Sequence, residues 1–187
     1  LLSFLFDRAI GQQIQTGSLK MAVQKARTDS SKTLSLIELS KRYYLQKPDS
    51  GLIYANLALS LSKRSGFQKG EARALTQVGF SLWVLGDPSA ALQAFIRSTY
   101  LAEKLNDQWT IARNYDGMAC ANSEQGELKQ ALNYANRSVA LFTKLHDNSD
   151  VVNVLNDVSF GYQSVGKTEL ALLYAKRAYQ LSVKIND

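Results

Sequence analysis

Apolar residues recur at three- and four-residue spacing through most of this chain, as at Leu75, Val78, Leu82 and Leu85, and again at Leu92, Phe95, Tyr100, Leu101 and Leu105. That spacing puts them on one face of an α-helix, so each stretch reads as an amphipathic helix. Gly86 stands between the two, where the first helix must end, because only glycine reaches the left-handed C-terminal conformation cheaply. Asp87 and Pro88 then open the second helix, the aspartate accepting orphan amide hydrogens and the proline supplying a preset φ. The predicted unit is a helical hairpin. Ala91 falls one turn inside its second helix, where a small side chain admits close approach.

The unit repeats with a step of forty. Gly86, Gly126 and Gly166 are so related, as are Ala91, Ala131 and Ala171; Leu92, Leu132 and Leu172; Arg97, Arg137 and Arg177; and Asp107, Asp147 and Asp187. A hairpin of this size cannot bury its apolar face alone, so the pattern predicts an all-α fold of stacked hairpins. An earlier unit keeps the register in its second helix, with Leu52, Ala58 and Leu61. Its first helix fits one residue late, with Leu36, Leu39, Ser40 and Tyr43 as core positions, implying a shortened turn at Lys47-Pro48-Asp49. The expected organisation is an N-terminal segment with a short capping helix over 1–30, then an array over 31–187 with units at about 31–70, 71–110, 111–150 and 151–187.

Within the units, Leu75, Gly79, Leu82, Gly86, Asp87, Ala91, Leu92, Phe95 and Ser98 form a pattern that resembles the tetratricopeptide repeat. It recurs at Tyr115, Ala119, Gly126, Ala131, Leu132, Ala135 and Ser138, and at Leu155, Ser159, Tyr162, Gly166, Ala171, Leu172, Ala175 and Ala178. The closing proline of that family is absent, its slots holding Glu103, Thr143 and Val183, and the period is forty rather than about 34. Longer second helices explain both departures. The resemblance covers 31–187 and implies a right-handed α-solenoid that binds proteins or peptides. The stretches Lys25-Ala26-Arg27-Thr28-Asp29, Lys47-Pro48-Asp49-Ser50, Tyr54-Ala55-Asn56-Leu57-Ala58-Leu59 and Ala102-Glu103-Lys104-Leu105-Asn106-Asp107 are also similar to the N-terminal sensor arrays of bacterial signalling proteins, especially Bacteroidetes-type histidine kinases. No kinase residue lies in this chain, so that likeness implies a parent protein and not an activity.

Composition narrows the chemistry further. One Cys leaves no disulfide framework within the chain, and one His removes most acid–base and metal chemistry. His146 shares its slot with Asn106 and Asn186, a helix C-terminal position that both residue types tolerate. Cys120 shares a slot with Phe80 and Phe160 and reads as a small filler or groove residue. No Gly-rich phosphate loop or metal-ligand spacing occurs, so neither a cofactor nor an enzymatic activity is expected. Eight of the basic residues and three of the acidic ones lie in 1–47, and this end carries most of the net +6. A nucleic-acid groove would need cations recurring along the array, which argues against nucleic acid. The apolar run Leu1–Phe6 is interrupted by Asp7 and Arg8, too early for a membrane span. It reads either as a helical face or as the tail of a signal peptide within 1–11, so the compartment is either periplasmic or cytoplasmic.

In tetratricopeptide arrays the second, fifth, ninth and twelfth positions of each first helix face the concave groove. Carried onto this sequence, the resemblance implies a peptide-binding groove of Arg73, Thr76, Phe80 and Trp83; Arg113, Asp116, Cys120 and Ser123; and Asn153, Asn156, Phe160 and Gln163, with Lys41 and Tyr44 from the earlier unit. The alternative for Phe80 and Phe160 is packing inside the array. The carboxylate clamp of chaperone-binding relatives is not reproduced, so a C-terminal peptide of that kind is not favoured. A final hairpin left uncovered would expose Leu173, Ala178 and Leu181. This makes a homodimeric assembly module the alternative function and suggests that the chain is a fragment or is covered there by a partner.

Overall fold

The computed structural model describes residues 16–164 and 166–186. Helix α1 covers 16–25. It is followed by α2 (Asp29–Tyr43), α3 (Pro48–Ser65), α4 (Gln68–Val84), α5 (Pro88–Lys104), α6 (Gln108–Glu124), α7 (Leu128–Lys144), α8 (Asn148–Ser164) and α9 (Thr168–Asn186). From α5 onward each helix starts forty residues after its counterpart in the preceding hairpin, and there is no strand among the described residues. No described helix is long and apolar enough to cross a membrane. The expectation of a signal-peptide remnant falls on 1–11, outside the described residues.

The helices are punctuated as the sequence dictates. Gly86, Gly126 and Gly166 close the first helices with φ of 82°, 79° and 74°. Between hairpins the same left-handed conformation falls on Gly66, Asn106 and His146, at φ 68°, 53° and 57°. His146 therefore serves as a turn residue. Asp87 Oδ1 accepts from the Ala90 amide at 2.9 Å, capping α5. The earliest hairpin is one residue shorter, as expected: α3 starts 19 residues after α2, against 20 between the starts of α4 and α5. The loss falls in α2, which ends early, so that four residues, 44–47, separate it from α3, against three between α4 and α5. Gln46 occupies the slot of Gly86 and does not adopt positive φ; the turn closes instead through the Gln46 and Lys47 amides, which both donate to the Tyr43 carbonyl. The one-residue offset of α2 itself is present. Ser40 Oγ donates to the Gly51 carbonyl eleven residues on, whereas Ser159 Oγ donates to Ala171 twelve residues on, both at 2.8 Å.

Each first helix packs on its own second helix, and each second helix on the next first helix. The first helices α2, α4, α6 and α8 also touch one another in series, while the second helices do not. The array therefore curves toward its first helices, which line the concave face. Phe95 is the keystone of the central packing: fully buried, it lies against Gly79 and Gly117, where an added Cβ would come within 2.6 Å and 2.2 Å of its ring. A polar lock runs beside it. Thr76 Oγ1 donates to Asn114 Oδ1 at 2.8 Å, Asn114 Nδ2 donates to Ser98 Oγ at 2.8 Å, and Ser98 Oγ donates to the Ala72 carbonyl at 2.7 Å. Buried hydroxyls and amides are tolerated here because each finds a partner. Ser138 repeats the last bond one unit later, donating to the Ala112 carbonyl.

Candidate functional site

Two hollows mark the concave face. The N-terminal one, about 250 Å³, is lined by Glu38, Lys41, Arg73, Thr76, Gln77 and Trp109, with Leu34 and Ile37. Trp109 is its centre. The Lys41 ammonium and the Arg73 guanidinium lie 5.9 Å and 5.6 Å from the indole centroid, within cation–π range, and Arg73 also reaches Asp107 Oδ2 at 3.4 Å. Trp109 Nε1 donates to Asp150 Oδ2 at 3.2 Å, which fixes the ring.

The second hollow is a groove of about 440 Å³ lined by Leu45, Trp83, Val84, Cys120, Ser123, Glu124, Asp157, Phe160 and Gly161. Its rim is apolar and open: Leu45 is 63% and Phe160 69% exposed. Its floor is acidic. Asp116, fully buried, receives Arg113 at 2.6 Å on Oδ2, while its Oδ1 has no N–H or hydroxyl donor and the carboxyl shares a hydrogen bond with Asp157. One oxygen each of Asp116 and Asp157 and the Cys120 Sγ all lie within 4.8 Å of one another. Burial, and then the negative charge of Asp116, push the Asp157 carboxyl up to about 7. Burial also raises Asp116, and it raises the Cys120 thiol well above its ordinary value, with the neighbouring carboxylates adding to the effect. Cys120 is thus an uncharged thiol, not an activated nucleophile. Arg113 stacks over Phe80 at 4.5 Å, and Asp116 holds it charged although burial opposes this.

The residues implied for the groove divide accordingly. Lys41, Arg73 and Thr76 meet in the first hollow, and Trp83, Cys120, Ser123 and Phe160 in the second. Asn153, Asn156 and Gln163 are exposed on α8 but line neither, Asn153 Nδ2 donating to Asp150 Oδ1 at 3.2 Å. Two residues correct the expectation. Phe80, 2% exposed, does not face the groove; it sits under Tyr44, edge-on to Phe95 and beneath Arg113. Thr76, 1% exposed, spends its hydroxyl on the polar lock. Asp116 and Cys120 belong to the floor, not the surface, and Tyr44 is half-buried against Phe80.

Phe80 and Phe160 share a slot and differ in exposure because their neighbours differ. Tyr44 and Phe95 surround Phe80; the corresponding positions around Phe160 are Ser123 and Ala175, too small to cover it. Asp157 escaped the positional pattern, since its slot holds Gly117 one unit earlier. The signal was the break in the repeat: Gly117 becomes Asp157 while Phe95 becomes Ala135, a carboxylate gained where an aromatic ring is lost.

A family model described as tetratricopeptide repeat matches residues 70–144. No curated protein sequence matches the chain. Among solved structures, a Rap protein complexed with competence and sporulation factor aligns with TM-score 0.82 at 17% identity, over 99% of this chain and 53% of its own. BtubC (BKLC) from P. vanneervenii aligns with TM-score 0.68 at 16% identity, over 99% of this chain and 78% of its own. The nearly identical TPR-like repeats of a kinesin light chain from Podospora anserina align with TM-score 0.61 at 13% identity, over 99% and 93%. This chain thus spans about half the length of the Rap structure.

Proposed function

We propose that this chain, which a tetratricopeptide repeat model matches over residues 70–144 and whose fold is that of TPR-like repeats, is a non-catalytic scaffold that holds a protein or peptide segment in its concave groove. The observation that carries this reading is the groove of about 440 Å³ between Trp83 and Phe160. An open Phe160 and a half-buried Trp83 beside the buried Arg113–Asp116 pair are the composition of a binding hot spot. The Rap structure, whose fold this chain matches most of the way along, was solved with competence and sporulation factor bound. The wording of the units supports placing the chain in the sensor or regulatory part of a larger bacterial signalling protein such as a histidine kinase. Selection of random peptides on the immobilised chain tests the groove: enriched peptides should lose binding to a Trp83→Ala/Phe160→Ala double variant that keeps its helical circular dichroism. Equal recovery on both proteins would remove the groove as the working surface.

One observation favours a second reading, self-assembly through α9. Leu92 and Leu132 are half-buried by the following hairpin, whereas their counterpart Leu172 is 70% exposed, with Leu173 at 52% and Tyr179 at 69% beside it. Ala178 is not part of this stripe; at 2% exposure it packs inward with Phe142 and Val154. Leu181 is half-buried.

A further inference from the structure

We infer that Asp116 and Asp157 form a subsite for the primary ammonium of a lysine side chain carried by the peptide in the concave groove. This rests on the groove reading above and names what the floor selects.

The charge balance is the first reason. Two carboxylates converge on a single guanidinium, Arg113, which is bonded to Asp116 alone among the salt bridges of the described residues. Asp116 Oδ1 is buried and receives no N–H or hydroxyl donor; the Asp116 carboxyl instead shares a hydrogen bond with Asp157, whose proton an arriving ammonium replaces. Burial, and then the negative charge of Asp116, raise the titration of Asp157 although Arg113 opposes this.

The shape is the second reason. Beneath the groove, Asp116, Cys120, Ser123 and Asp157 border a cavity of about 20 Å³ whose other walls include Leu128, Leu132 and Val158. That volume holds one water-sized group. An ammonium fits it; a planar guanidinium does not. The approach past Trp83, Val84 and Phe160 is apolar, which suits the methylene stem of lysine. A peptide N-terminus would instead carry its first amide into those walls unpaired.

The test uses acetylated, amidated Ala-Phe-Lys-Phe-Ala and its norleucine and arginine counterparts, titrated calorimetrically into the intact chain. The lysine peptide is expected to bind at least tenfold tighter than the norleucine one. Asp157→Asn or Asp116→Asn should erase that difference. Affinity for the lysine peptide should rise from pH 6 to pH 8 as Asp157 ionises. The groups facing it there are Asp116, Arg113, Cys120 and Glu124 from α6, Tyr44 from the preceding turn and Tyr162 on its own helix. Equal binding of lysine and norleucine peptides, both lost on Phe160→Ala, would overturn the subsite and leave the groove reading standing. No binding of any of the three would overturn both. Displacement of the lysine peptide by micromolar zinc would make the carboxylates and Cys120 a metal site, and equal binding of the arginine peptide would refute the cavity-size argument; each overturns the inference as stated.

Discussion

Gly117→Ala should destabilise this protein even though the residue lies inside a helix. Alanine is intrinsically favoured over glycine in a helix interior by about 1 kcal/mol. Against that gain stands Phe95. The added Cβ would lie 2.2 Å from Cζ, 2.5 Å from Cε1 and 2.7 Å from Cε2, whereas carbon atoms rest about 3.5–4.0 Å apart. The ring has to retreat by more than 1 Å, and it has nowhere to go: Gly79 closes the opposite side, and Phe80 meets it edge-on at 5.0 Å. Overpacking of a filled core costs about 1–3 kcal/mol, and a clash this deep with a fully buried ring belongs at the upper end. The net expectation is a loss of about 1–2 kcal/mol, or roughly 2–8 °C in melting temperature for a chain of this size. Gly17→Ala is the control, because nothing lies within 4 Å of its added Cβ; it should leave stability unchanged or raise it. Urea denaturation followed by helical circular dichroism, with calorimetry, measures both variants. A Gly117→Ala protein as stable as the wild type would refute the packing argument.

Three further expectations follow from the same structure. Asp157→Asn should raise the melting temperature at pH 8 and have no effect near pH 4: a carboxyl raised from 3.8 to about 7 favours the folded state while protonated, and that stability is lost as pH climbs through this window. A lower melting temperature for the variant at pH 8 would contradict the assigned charge balance. Asn114→Ala strips partners from both Thr76 and Ser98 and should cost about 1–3 kcal/mol in a denaturant titration, a neutral result meaning that the lock contributes nothing. If α9 mediates self-association, Leu172→Lys/Tyr179→Lys should shift sedimentation from dimer to monomer, and a wild type that is monomeric at all concentrations would dispose of that reading.

The hairpins were legible because the repeat states each boundary several times over: glycine, aspartate and alanine recur in phase, and local helix signals agree with the global stack. What the linear pattern could not convey was lateral company. Position 80 and position 160 read alike, yet whether an aromatic ring is a core plug or an open anchor depends on residues 36 or 37 positions before it and 15 after it. The missing residue of the earliest hairpin is legible as an offset, but not that α2 gives it up: without glycine at 46, α2 ends early and the chain closes the turn by a different set of amide bonds. Asp157 lay in plain sight as a departure from the repeat, and departures are where a scaffold carries its specificity.

The central claim is that the face lined by α4, α6 and α8 is the working surface. Hydrogen exchange of the chain, alone and saturated with a peptide selected on it, tests this most directly. The account predicts added protection around Trp83, Cys120 and Asp157–Phe160, with none on the outer side of α9. Protection confined to the stripe of Leu172 and Tyr179, with the groove exchanging as in the free protein, would contradict it.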